Sequence, residues 1–219
     1  MNSSYFSAKR ITWFAILLAL VVVLQIWGSA IPIGATRISF VLIPIVLGAI
    51  VLGAVAGALL GVAFGVVVLI AALVGADPFT LYLFESSPVM TLLIIFVKGA
   101  LAGFVPGLIF KALRKKNSLV ATFIAAAAAP ICNTGIFIVG TLIISGVISN
   151  YISITPDLAG QSVVYFIIIG CAGLNFLIEL GINMLITPAL YRVMKVIDKS
   201  AGGFLGLDQK ENERKKSGE

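Results

Sequence analysis

Two ionisable residues stand inside apolar runs long enough to cross a bilayer: Lys98 in residues 89–113 and Glu179 in residues 163–191. A charge at that depth is costly and marks either a functional site or a buried pair. Three readings fit these positions. Lys98 and Glu179 form a structural ion pair, or one or both hold a ligand in a polar cavity, or the Lys98 ammonium snorkels to an interface.

Glu179 is the centre of a polar row, Asn175-x-x-x-Glu179-x-x-x-Asn183, on one helical face. In lipid such amides must point into the bundle or a cavity, where partners exist. Asn133-Thr134 supply a second polar patch just after Pro130, which frees a backbone carbonyl nearby. Arg37 is the other cation away from the basic segment ends. Arg37, Lys98, Asn133, Asn175 and Glu179 are together suited to a small anionic ligand bearing hydroxyl or amide groups, with Thr134 beside them. The competing reading is that the same groups only hold helices together.

Other chemistry has little to work with. Histidine is absent, which removes the commonest general base and metal ligand. Cys132 and Cys171 lie in apolar stretches without CxxC spacing, so they are expected to be inert packed thiols. There is no HExxH, no paired-Asp motif and no nucleophile next to a base, so no enzyme, metal site or cofactor is expected. The net charge is +6, but the basic residues flank apolar segments, which points to topology and anionic lipid rather than to nucleic acid.

The elements that position these groups are membrane helices. Of 219 residues, 60% are hydrophobic and 11% charged, and mean hydropathy is +1.15. A multi-pass helical membrane protein is expected. The first helix covers residues 11–28 and is read as retained rather than cleaved as a signal peptide. Residues 38–76 carry no charge and are too long for one span.

Charge parity decides how that stretch is used. Lys9-Arg10 and Arg114-Lys115-Lys116 belong on the cytoplasmic side, so an even number of crossings separates them. A hairpin turning near Gly53 satisfies this, with a short second helix and a third carrying the row Gly53, Gly57, Gly61, Gly65. Small residues at that spacing allow close helix contact. Residues 77–88 are then an external loop, either an interfacial aromatic belt or a lid, with Phe79 and Tyr82 as its candidate ligand contacts.

The fourth helix is expected over 89–113, the fifth over 118–147 with a kink at Pro130, an external loop over 149–160, and the sixth helix over 163–191. The reading is all-α: one domain over residues 1–200 with six transmembrane helices and both termini cytoplasmic. Residues 201–219 are expected to be a charged, flexible cytoplasmic tail, with fraying from Arg192 onward.

At these positions the sequence resembles the substrate-binding S-components of energy-coupling factor (ECF) vitamin transporters, over about residues 8–198. Ala15-Ile-Leu-Leu-Ala19 is similar to the family's Ala-x-x-x-Ala docking motif. Ile38-Ser39-Phe40-Val41-Leu42-Ile43-Pro44 resembles the start of its second helix. Leu52-Gly53 with Gly57-Ala58 and Gly61 resembles the turn into its third, although Ala54 stands where a proline is frequent.

The resemblance implies a multi-pass protein of the bacterial plasma membrane. Its partners would be a small vitamin, a transmembrane coupling subunit and two ATPase subunits, consistent with the lack of a GxxxxGK[ST] motif in this chain. Docking would involve Ala15, Ala19, Gly53, Gly57 and Gly61. Ser87-Pro88, Lys98-Gly99-x-x-x-Gly103, Asn133-Thr134 and the Asn175 to Asn183 row with Thr187-Pro188 are most similar to the pantothenate type. Riboflavin, folate and pyridoxine carriers are the alternatives, and a stand-alone secondary transporter or channel is the alternative from another class.

Overall fold

The computed structural model describes residues 8–28 and 40–200, with the side chains of Lys199 and Ser200 excepted, and the backbone of 32–33 and 36–37. Helices dominate, because lipid offers the backbone no other partner. They are α1 (Ala8–Gly28), α2 (Leu42–Val51), α3 (Ala54–Leu73), α4 (Pro78–Ser86), α5 (Pro88–Leu113), α6 (Ser118–Ile143) and α7 (Ser145–Ile154). A last continuous helix combines α8 (Val163–Tyr165), a π-helical stretch (Phe166–Gly173) and α9 (Leu174–Ser200). Two-residue strands β1 (Pro32–Ile33) and β2 (Thr36–Arg37) pair antiparallel between α1 and α2. That hairpin lies against the π-helical stretch.

Among the described residues, five helical segments are long and apolar enough to cross a membrane: α1, α3, α5, α6 and the run Val163–Asp198. α2 is shorter, at 10 residues, and all of its side chains except Ile43 are buried. A helix apolar on every side belongs in the centre of a bundle, and α2 has that place. Leu42, Ile45, Val46 and Ile50 join Leu17 and Val21 of α1, Leu60 and Phe64 of α3, and Met194 and Ile197 of α9 in the main core.

The hairpin between α2 and α3 turns at Gly53, whose φ of +105° is a conformation only glycine adopts readily. Beyond it, α3 and α5 run antiparallel in close contact. A methyl group at Gly61 would collide with the Gly99 carbonyl, and one at Gly99 with the Gly61 carbonyl. Gly57 and Gly103 repeat the relationship one turn away. The two glycine rows seen in the sequence are thus two halves of one seam.

One end of the bundle gathers the basic segment ends. Arg10 donates through Nη2 to the Leu52 carbonyl at 2.8 Å, tying the start of α1 to the α2–α3 turn. Ser118 and Tyr191 hydroxyls bond at 3.0 Å, and Lys195 lies 5.1 Å from the Tyr191 ring centroid. α4 and α7 cover the opposite end.

Several boundaries differ from expectation. Residues 78–86 form a helix instead of a loop, because Asp77 caps it and Pro78 occupies its first turn. The Asp77 carboxylate accepts from Thr80 N at 3.1 Å and from Thr80 Oγ1 at 2.6 Å. The fifth expected helix breaks at Ile144, where α6 gives way to α7, so much of the expected 149–160 loop is helical as well. α6 runs unbroken through Pro130. α9 continues past Arg192 to Ser200 because Met194, Ile197 and Asp198 are buried against the bundle. The expected tail over 201–219 lies outside the described residues.

Candidate functional site

The polar groups of α5, α6 and α9 meet in mid-helix. Lys98 is roughly 15 Å along α5 from Pro88, at 1.5 Å per residue, about half a hydrocarbon thickness. Its neighbour Gly99 forms the seam with Gly61, which fixes the rotation of α5 about its axis. The Lys98 ammonium therefore lies between two rings, 5.6 Å from the Phe64 centroid on α3 and 5.5 Å from that of Phe137 on α6. Both distances suit cation–π attraction.

Glu179 is almost wholly buried, at 1% exposure. Its Oε2 accepts from Asn133 Nδ2 at 3.3 Å, across from α6, and its Oε1 accepts from Asn175 Nδ2 at 3.2 Å, one turn back on α9. Asn183 Nδ2 donates to the main-chain carbonyl of the same Glu179 at 2.8 Å. The Thr187 hydroxyl in turn donates to the Asn183 carbonyl at 2.6 Å. Three amides are thus anchored on one residue, and in each the NH2 group is the anchored end.

The opposite ends of those amides have no partner. Asn133 Oδ1, Asn175 Oδ1 and Asn183 Oδ1 are buried and accept no hydrogen bond from any described residue. Buried acceptors of this kind are rare in folded proteins and call for an explanation. Lys98 is comparable: among the described residues no carboxylate lies within ion-pair distance of it, although Glu179 and then Asp77 are the acids whose field reaches its ammonium. The site therefore offers one cation set between two rings and three acceptor oxygens that no described residue satisfies.

The ion-pair reading of Lys98 and Glu179 is not what the structure holds, since the carboxylate is occupied by two amides and the ammonium by two rings. Thr134 is buried next to Asn133 but takes no part in the Glu179 network. Phe79 and Tyr82 of α4 take no part in the Glu179 hydrogen bonds and belong to an aromatic cluster with Tyr151 of α7, against which Phe137 also packs. Phe79 meets Tyr151 edge-on at 5.0 Å and Phe166 at 5.8 Å, and Tyr82 meets Tyr151 at 5.0 Å. Partial burial there pushes the Tyr151 phenol above its usual pKa. Arg37 is placed only through its backbone, in β2 opposite Pro32, and its side chain lies outside the described residues.

Sequence reasoning missed Phe64, Phe137, Tyr151 and Phe166. Phe137 was accessible in principle, because it follows Asn133 by four residues and so shares its helical face. Phe64 stands inside the glycine row, on a helix whose facing partner was not known from sequence. Of the expected docking residues, Ala15 and Ala19 are exposed on α1, and Gly53 is half-buried at the turn. Gly57 and Gly61 are buried against Gly103 and Gly99 of α5.

Residues 9–191 match the family model for the substrate-specific component of ECF transporters. The chain belongs to that family. It is accordingly an all-α integral membrane protein and the substrate-specific membrane subunit of an ECF transporter, a transporter and not an enzyme family. ECF substrate-specific components bind a small substrate and work with a module of coupling and ATPase subunits. No individual curated protein matches this component in sequence.

Proposed function

We propose that this substrate-specific component captures pantothenate, a small water-soluble vitamin, at the cluster built by Lys98, Asn133, Asn175 and Glu179. The observation that carries the reading is the inventory of unmatched groups: an ammonium between two rings with no carboxylate of the described residues at ion-pair distance, and three buried amide oxygens that no described residue satisfies. Pantothenate supplies the complement, a carboxylate for the ammonium and hydroxyl and amide N–H groups for the amide oxygens. A charge-assisted hydrogen bond to Lys98 would be the strongest single contact.

In this reading the basic end of the bundle is cytoplasmic and both termini lie inside a bacterial plasma membrane, with six crossings between them. The α4–α7 end faces outward, and Arg37, Thr134, Phe79 and Tyr82 line or close the route to the cluster. Ala15 and Ala19 present α1 to the coupling subunit, and the two ATPase subunits supply the energy.

The test is to purify the protein, identify any co-purifying small molecule by mass spectrometry, and titrate pantothenate, riboflavin, folate and pyridoxine by calorimetry. Tight pantothenate binding lost in Lys98→Ala and Asn133→Ala is the expected result. Tight binding of riboflavin in place of pantothenate overturns the substrate.

A further inference from the structure

Resting on the reading of this cluster as the ligand site, we propose that Glu179 is a positioning residue: it holds the amides of Asn133 and Asn175 by their NH2 ends and leaves their oxygens unpaired, so that the site selects ligand groups that donate hydrogen bonds. An asparagine amide carries a donor end and an acceptor end of nearly the same shape, and a free one can turn to suit either kind of ligand group. A carboxylate removes that freedom, because it only accepts. Any amide held against it must present its NH2.

Glu179 imposes this on two helices at once. Oε2 takes Asn133 of α6 at 3.3 Å and Oε1 takes Asn175 of α9 at 3.2 Å, so neither amide can turn without facing oxygen to oxygen. Asn183 is locked separately, by its 2.8 Å bond to the Glu179 main-chain carbonyl. The consequence is the set of three buried oxygens that no described residue satisfies. Helix–helix adhesion alone does not account for them, since adhesion would be served as well by amides that use both ends. A hydroxyl or N–H on the ligand meets an acceptor there, whereas an ether or carbonyl oxygen meets like polarity and leaves both sides unpaired. Such a mismatch in a buried site discriminates strongly.

Glu179→Gln is the informative change, because glutamine keeps the size and can still bond both asparagines. It can do so only by donating to one of them, which releases that amide to turn over. The experiment measures the calorimetric affinity of the full chain for pantothenate and for a pantothenate analogue lacking one hydroxyl, in wild type, Glu179→Gln and Glu179→Asp. The wild type is expected to bind the analogue at least about tenfold more weakly. Glu179→Gln should narrow that ratio to within about threefold, and Glu179→Asp, which restores a pure acceptor, should widen it again.

A ratio unchanged in Glu179→Gln, with both affinities falling together, overturns the inference and leaves Glu179 as helix adhesive. If the wild type binds neither compound, the functional reading fails, and amide orientation is then read without ligand. The side-chain NH2 signals of 15N-asparagine, assigned through Asn133→Ala and Asn175→Ala, should move in Glu179→Gln. Unchanged signals overturn the inference on their own.

Discussion

Lys98 and Glu179 lie within each other's electrostatic field but do not pair. The ammonium is held by Phe64 and Phe137, and both carboxylate oxygens are held by amides. Exchanging the two residues should therefore fail to restore function. We expect Lys98→Met to weaken binding of a carboxylate-bearing vitamin by roughly tenfold to a hundredfold, the worth of a charge-assisted hydrogen bond, while the melting temperature stays near wild type. The Lys98→Glu, Glu179→Lys double variant should bind no better than either single one. Recovery of binding in the double variant, followed by calorimetry, would restore the ion pair.

The α3–α5 seam makes a second prediction. Gly61→Ala puts a methyl group against the Gly99 carbonyl, where backbone and not a flexible side chain must give way. Overpacking of this kind costs about 1–3 kcal/mol, so a clear drop in melting temperature in detergent is expected, with ligand binding lost alongside because Lys98 adjoins Gly99. Gly135→Ala is the control. A methyl group there meets nothing within 4 Å, and a helical glycine gains from the change.

The cap on α4 makes a third. Asp77→Ala removes two hydrogen bonds from Thr80 and should cost about 1 kcal/mol locally. α4 holds Phe79 and Tyr82 against Tyr151, so loosening it should raise hydrogen exchange in α4 and α7 before the bundle core responds. Uniform exchange throughout the bundle would show that α4 is not a separately opening unit.

These relationships were unevenly legible in the sequence. The Gly53 hairpin was readable because the uncharged stretch over 38–76 is too long for one span, and a glycine stood where a turn could form. Asn133 with the Asn175 to Asn183 row was readable as an inward-facing polar set, since lipid offers those amides nothing. The state of Lys98 and Glu179 was not, because depth along a helix says nothing about rotation, and the seam at Gly61 and Gly99 sets the rotation of α5. The small helices α4 and α7 were masked by mixed composition. Asp77-Pro78-x-Thr80 is a helix start, but the alternating aromatics after it look like an interfacial loop. The π-helical stretch before Leu174 left no mark in the spacing of its uniformly apolar residues.

The last prediction concerns the exposed face of α1. Ala15 and Ala19 lie one turn apart and are both exposed, so larger side chains there displace nothing inside the bundle. Leu17 and Val21, on the opposite face, are buried and carry the internal packing of the helix. Ala15→Leu with Ala19→Leu should therefore leave the melting temperature and vitamin affinity of the isolated subunit near wild type. A coupling subunit that packs closely on small residues would be pushed away by the added bulk. We expect co-purification with the coupling and ATPase subunits, and ATP-driven uptake in vesicles, to fall by at least about tenfold, with Ile16→Ala on the neighbouring exposed position much milder. Full assembly and uptake in the double variant would place docking elsewhere.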